Sequence, residues 1–339
     1  MDVNSTNYLM GVQQALNVPG SALLDAFFGT VQTEDSEEIH FDVRNAAGKL
    51  APFVSPYVEG KVVQEQGRTT RTFKPAYVKA KTPLDPSRPL KRATGEQFGG
   101  SLSAGQREQL QLANTLADQR QMIENRWEWM AAQAIRTGKV TVSGDGYPDV
   151  EVDFQRNAAH TVALSGAALW SDAGSAPLTN LQTGATSIAK LAGGNATDVL
   201  MDPDAWALFI AHADVKERIN FRRTSDTADV RAGANTERGL IYKGEIDGFR
   251  IWVYQDWYVA DGGTVTPFFP SRTVVLVAAA ALEGVRAFGA IHDPEAGYVA
   301  TPMYPKSWIE KDPARRVVMT QSAPLMVPTR PDATFAFTV

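Results

Sequence analysis

Residues 103–138 read SAGQREQLQLANTLADQRQMIENRWEWMAAQAIRTG. Ser103 followed by Gln106 matches a capping box and Gly138 supplies a stop, so the spacing predicts one unbroken helix. Leu112, Leu116, Ile123, Trp127, Met130 and Ala134 recur at steps of three, four or seven residues, which keeps them on one face. A Trp/Met stripe of this kind is expected to be core packing rather than a cofactor site. At 1.5 Å per residue the helix reaches roughly 50 Å, which is long for a globular domain. It is expected to act as a spine across which other elements lie.

Around this helix the chain is chemically plain. Its 339 residues carry a net charge of −5, with 44% hydrophobic and 21% charged residues, which excludes collagen-like, coiled-coil and wholly disordered classes. There is no cysteine, so disulfides, thiolate nucleophiles and Cys-ligated zinc are excluded together. That composition suits a reducing cytoplasm. Met1–Gly20 lacks a basic stretch followed by an apolar one, so no secretory signal is expected. The sequons at Asn4 and Asn195 carry little weight without such a signal. Thr273–Leu282 is the most apolar run, but it falls short of the roughly 20 residues that span a bilayer. It is expected to be a buried strand running into a small-residue segment.

Upstream of the spine, residues 1–50 read as an arm. Thr6–Leu16 and Ser21–Phe28 are expected to be short helices separated by the breaker Asn17-Val18-Pro19-Gly20. An acidic run from Glu34 to Glu38 leads into the alternating Ile39, Phe41 and Val43. Leu23, Leu24, Phe27 and Phe28 need a partner surface, which is either this chain's own core or a neighbouring molecule. Residues 51–92 hold six of the nineteen prolines. From Lys61 to Arg92 nine basic residues face only Glu65 and Asp85, leaving 24 basic against 36 acidic residues elsewhere. Tyr57–Gln66 and Thr69–Ala80 read as the two runs of a long hairpin around Gly67. With few large apolar residues, that hairpin cannot form its own core and must lie on something else. Nucleic acid and the acidic remainder of another copy are both compatible with its charge. No sequence-reading motif surrounds Phe73 and Tyr77, and charge pairing between copies is favoured. The inter-subunit contacts are then expected at Lys61, Arg68, Arg71, Lys74 and Lys79.

Downstream, residues 139–300 alternate helix and strand signals. Lys139–Ser143 and Val150–Phe154 form a predicted hairpin, and Leu178–Leu191 a helix ending at Gly193-Gly194. Val199–Met201 is a short strand, after which Asp202-Pro203 opens a helix whose buried face is expected at Trp206, Phe209 and Ile210. Asp247-Gly248 is the strongest turn signal in the chain. Residues 218–239 are polar and read as a loop. Strands return at Arg316–Gln321, Leu325–Val327 and Thr334–Val339.

Signatures of catalysis are absent. No dinucleotide, P-loop or nucleophile-elbow pattern occurs, and the four histidines are not at metal-ligand spacing. Asp145, Asp149, Glu151 and Asp153 miss the calcium-loop spacing, and alternate acids on a strand are expected to face water. Neither catalytic, cofactor nor metal residues are expected. A Ser, His and Asp that meet only in space leave an α/β hydrolase open as an alternative.

Three separated blocks carry a resemblance. Tyr57-Val58-Glu59-Gly60-Lys61-Val62-Val63 with Arg71-Thr72-Phe73-Lys74-Pro75-Ala76-Tyr77-Val78-Lys79 is the first. Asp202-Pro203-Asp204-Ala205-Trp206-Ala207-Leu208-Phe209 is the second. The third runs from Tyr304-Pro305-Lys306-Ser307-Trp308 through Asp312-Pro313-Ala314-Arg315 to Gln321-Ser322-Ala323-Pro324-Leu325-Met326. In order and spacing they resemble the lambda-type tailed-bacteriophage major capsid (head) proteins. The resemblance implies an α+β protein of the Hong Kong 97-type phage capsid fold. Its parts would be an N-terminal arm (1–50), a β-hairpin E-loop (51–92) and a peripheral domain with the spine helix (93–155). An axial domain (156–300) and C-terminal strands returning to the peripheral domain (301–339) complete it. It further implies a structural protein, not an enzyme, that forms hexamers and pentamers in an icosahedral head. Scaffolding protein, portal, a possible decoration protein and packaged double-stranded DNA without sequence-specific contact are its implied partners. No membrane is involved, and assembly as a procapsid that matures is implied in the host cytoplasm. A shell protein of a cellular nanocompartment with the same fold is the nearer alternative.

Overall fold

The computed structural model describes residues 6–16, 20–44, 50–59, 68–75, 77–91, 102–144, 147–224, 239–260, 262–312 and 314–339. The spine is one helix, Ala104–Thr137. Ser103 and Gln106 close the capping box in both directions, and Gly138 ends the helix in the left-handed region at φ 69°. All six stripe residues are buried, and they share the buried set with two polar ones, Gln119 and Glu128.

Against the amino-terminal half of the spine lies an antiparallel sheet in the order Tyr304–Lys311, Ala314–Ser322, Val78–Pro83. Leu112 and Leu116 meet Val318, Leu84 and, from the arm, Leu9 in a small separate core. Gln119 fixes the contact: its Nε2 donates to the Val318 carbonyl and the Thr82 hydroxyl, each at 3.0 Å, and its Oε1 accepts from the Thr320 hydroxyl at 2.8 Å.

The carboxyl-terminal half of the spine belongs to the main core, which also holds a six-stranded mixed sheet. Its order is Thr161–Ala163, Thr334–Thr338, Thr273–Val277, Asp198–Met201, Phe249–Tyr254, Leu240–Ile246. Thr273–Val277 is buried throughout, as its unbroken apolar run requires. Helix Pro177–Ala192 packs on this sheet at Gly184, where a Cβ would come within 3.3 Å of the Phe337 ring. Asp202 caps helix Pro203–Ala211 by accepting from the Asp204 and Ala205 amides, and also accepts from the Thr273 amide at 2.9 Å. The turn at Asp247-Gly248 has φ 52° and 84°, the two positive values a tight hairpin needs.

Arg156 ties the spine to this sheet. Its guanidinium donates to the carbonyls of Ile135 and Arg136 at 2.8 and 2.6 Å, and to the hydroxyls of Thr161 and Thr334. A third sheet, Thr30–Thr33, Gly284–Phe288 and Pro324–Pro328, joins arm and spine.

The arm helices are Thr6–Ala15 and Ala22–Phe27. Leu23, Leu24, Phe27 and Phe28 are all buried in the chain's own core, which decides between the two partners open from sequence. Gly284 permits the approach, since a Cβ there would sit 2.2 Å from the Phe27 carbonyl oxygen.

Several expectations are corrected. Thr69–Ala80 is not one strand: Arg68–Phe73 and Val78–Pro83 are separated at Lys74-Pro75 and join different sheets. Proline lacks the amide that would continue the ladder. The partner of Arg68–Phe73 is Ile39–Arg44, from Ile39 opposite Phe73 to Arg44 opposite Arg68. Tyr57–Glu59 are not strand, and residues 60–67, with the expected turn at Gly67, lie outside the described residues. The C-terminal segment 301–339 divides, because Thr334–Thr338 pairs with Thr273–Val277 inside the six-stranded sheet. Four buried residues in that strand need cover on both faces, which an interior position supplies. The expected loop at 218–239 begins later, since helix Ala213–Thr224 runs into it, and residues 225–238 lie outside the described residues. On helix Pro203–Ala211 the buried face is Ala205 and Phe209, while Ile210 is 39% exposed. A helix of nine residues packed on strands Asp198–Met201 and Phe249–Tyr254 hides one narrow stripe, and Ile210 lies a full 100° from Phe209.

Candidate assembly surfaces

The five basic residues expected to make contacts between subunits do not form one cluster. Lys61 lies outside the described residues. Arg68 and Arg71 are on the strand paired with Ile39–Arg44, with Arg71 opposite Phe41 and exposed. Lys74 follows at the break and forms an ion pair with Glu37 of the same chain, whose carboxyl it holds below the usual range. Lys79 is on the sheet that lies against the spine, its ammonium 5.3 Å from the Tyr77 ring centroid. The basic segment is thus folded across two sheets, and part of its charge is met within the chain. The spine-packing residues Leu112, Leu116, Ile123, Trp127 and Met130, by contrast, are all where the stripe puts them.

Register brings together a charged surface that the linear sequence does not show. On the outer side of the spine's sheet, Lys306 lies across Met319 from Lys81, and Trp308 across Val317 from Pro83. Lys81 and Lys306 approach the Trp308 ring at 5.3 and 5.8 Å from its centroid. Glu310 accepts from Arg315 at 2.6 Å and lies 3.9 Å from Lys81. Lys306 reaches Asp293 at 2.5 Å, and Gln321 donates to the same carboxylate at 3.0 Å. Burial pushes the Asp293 carboxyl up, but these donors and the Glu295 amide outweigh it and hold it below the usual range. The alternation Tyr304, Lys306, Trp308, Glu310 was the available signal, but only the pairing partner says which residues join it.

Among the described residues, apolar side chains are uncovered in at least two places. In the segment 50–59, Leu50, Phe53 and Tyr57 are essentially fully exposed and Val58 is mostly so. At the tip of a second hairpin, Trp257–Val259 with Val265–Pro267, the paired Val259 and Val265 both face solvent beside a half-exposed Trp257. Contiguous exposed apolar side chains mark surfaces that a partner covers. The sequence signalled 51–92 through its lack of core, but gave no comparable sign at 257–267.

Among the described residues no group of three His, Asp or Glu side chains could hold a metal ion. Of the acidic quartet, Asp145 lies outside the described residues, while Lys139 bridges Glu151 at 2.7 Å and Asp153 at 3.3 Å. No described helix is long and apolar enough to cross a membrane.

The profile of the phage major capsid protein E family matches residues 5–339. The major capsid protein of Escherichia phage N15 is 31% identical over 339 residues, covering 98% of both chains. That of Escherichia phage lambda is also 31% identical, over 316 residues and 91% of each chain. Among solved structures, a prophage protein of E. coli CFT073 crystallised as its capsid protein superposes with a TM-score of 0.73. It is 25% identical and covers 98% of both chains. With its spine helix, folded-back arm and the sheets packed on them, this chain has the Hong Kong 97-type capsid fold and belongs to the phage major capsid protein E family.

Proposed function

We propose that this major capsid protein assembles as hexamers and pentamers into the icosahedral head of a tailed phage. Residues 51–92 would serve as the E-loop, reaching from one subunit to the next. The spine with its sheet would be the peripheral domain and the six-stranded sheet the core of the axial domain. Scaffolding protein, portal and double-stranded DNA bound without base reading would be its partners, with a decoration protein as a possible further one. Assembly would take place in the host cytoplasm. The observation that carries this reading is the run of exposed apolar side chains Leu50, Phe53, Tyr57 and Val58, followed in the chain by a strand bearing Arg68 and Arg71. A monomer leaves these apolar side chains and Arg71 exposed, whereas a neighbouring acidic subunit would bury the first and pair with the second.

Individually, exposed charge pairs contribute only about 0–1 kcal/mol, but a closed shell repeats each one at every subunit. The test is the double variant Arg68→Glu/Arg71→Glu, expressed with its scaffold and viewed by negative-stain microscopy. Loss of particles with an unchanged circular dichroism spectrum of the unassembled chain is expected. Normal particles from this variant would refute the proposed contact.

A further inference from the structure

Two charged residues of the spine hold the arm, and neither belongs to its apolar stripe. Arg120 Nη1 donates to the Gln13 and Leu16 carbonyls at 2.8 and 3.1 Å, at the end of helix Thr6–Ala15. Glu124, one turn along, accepts from Arg120 Nε at 2.8 Å and orients it. Eight residues beyond Arg120, about 12 Å along the axis, stands Glu128. Its carboxylate accepts from the Leu23 and Leu24 amides at 2.8 and 3.1 Å, in the first turn of helix Ala22–Phe27. It also accepts from the Tyr254 hydroxyl at 2.8 Å, and it is 1% exposed. Helices leave carbonyls unpaired at one end and amides at the other. Arg120 takes the first kind from one arm helix, and Glu128 takes the second kind from the next.

We propose that Arg120 and Glu128 form a two-point latch holding the arm on its own spine, and that ionisation of Glu128 loosens the second point. The charged and titratable groups around Glu128 come from three elements. Tyr254 and Asp256 lie at the end of strand Phe249–Tyr254 and just beyond it, and Asp256 opposes a second negative charge. Asp25, on the arm helix, is paired at 2.7 Å with Arg286, which also donates to the Phe28 carbonyl. Arg120 and Glu124 stand on the spine itself. Burial drives the Glu128 carboxyl up to about 7, against the pull of the Leu23 amide, the Tyr254 hydroxyl and the Leu24 amide.

With the arm released, water reaches Glu128 and its affinity for the proton returns toward the ordinary value of 4.5. The docked arm therefore binds a proton more tightly than the released arm. Docking is strongest below pH 4.5 and weakens as the pH rises through 7. Between pH 4.5 and pH 8 the docking equilibrium falls by roughly 100-fold. A loosened arm would offer Leu23, Leu24, Phe27 and Phe28 to an adjacent subunit. That consequence rests on the proposed shell function, whereas the latch does not.

Hydrogen exchange on the unassembled full-length chain separates the two. Protection of residues 21–28, corrected for the intrinsic rate, should fall by roughly 100-fold between pH 4.5 and pH 8. Strand Thr273–Val277 serves as the reference for global unfolding. Glu128→Gln should abolish the pH dependence, and Tyr254→Phe should move the midpoint upward by removing a donor to the carboxylate. Arg120→Gln should lower protection of residues 6–16 and leave the pH slope at 21–28 intact. Protection that does not change with pH in the wild type, or a wild-type slope in Glu128→Gln, would overturn the latch. Should Glu128→Gln fail to protect the reference strand, an unmoved midpoint in Tyr254→Phe overturns it instead.

Discussion

Replacing Gln119 by Leu tests whether the spine is a structural rod or also sets the register of the sheet beside it. The site is fully buried, and the side chain makes three hydrogen bonds across the helix–sheet contact. Leucine preserves the volume approximately, so the cost comes from lost hydrogen bonds rather than from a cavity. The Thr320 hydroxyl, on a fully buried residue, loses its acceptor, which costs about 1–3 kcal/mol. The bond to the Val318 carbonyl adds about 1 kcal/mol, while Thr82 is half-buried and regains water. A total near 3 kcal/mol follows, read as a lowered urea midpoint with an unchanged slope for the unassembled chain. Thr320→Val removes the stranded hydroxyl, so in the double variant the two costs should fall short of their sum by about 1–2 kcal/mol. A Gln119→Leu chain within about 0.5 kcal/mol of wild type, or strictly additive costs, would refute the reasoning.

Other consequences are independent of that contact. Gly138→Ala places a Cβ at φ 69° and 2.5 Å from Arg156 Cβ, so it should cost about 3 kcal/mol in thermal or urea unfolding. Gly297→Ala, at φ 65° with open space around it, should cost only about 1 kcal/mol. Asp202→Ala strips three backbone amides of their acceptor and should cost about 2 kcal/mol, with Asp202→Asn costing much less. Because the folded chain holds Asp293 below its ordinary 3.8, this carboxylate stabilises the chain above that pH and loses its effect as the pH falls from 3.8 through the lower value of the folded chain. Asp293→Asn should therefore be less stable than wild type at pH 7, and the gap should close in acid titrations followed by circular dichroism.

Local chemistry was legible to the residue where an element carries its own punctuation. The spine's cap at Ser103, its stop at Gly138, the proline-led helix after Asp202 and the turn at Asp247-Gly248 all follow from neighbours within four positions. The arm's apolar quartet was visible, but its partner was not, because a hydrophobic face fits an own core and a foreign one alike. The misread strand at Thr69–Ala80 has the same origin: composition reports strand propensity, while the partner is chosen at long range.

By itself the sequence determined the spine helix with its cap and buried stripe, the proline-led helix after Asp202, the turn at Asp247-Gly248 and, through three spaced blocks, the kinship with phage head proteins. These depend on periodicity and local hydrogen bonding, which the order of residues carries directly. Only the tertiary structure decided that Thr334–Thr338 sits inside the six-stranded sheet and that Lys81, Lys306 and Trp308 share one surface. It alone showed that two polar residues buried beside the apolar stripe, Gln119 and Glu128, bond groups about a hundred residues or more away along the chain in Val318, Leu23 and Tyr254. A buried polar side chain is tolerated where distant backbone and hydroxyl groups converge on it, and that convergence exists only once the chain has folded.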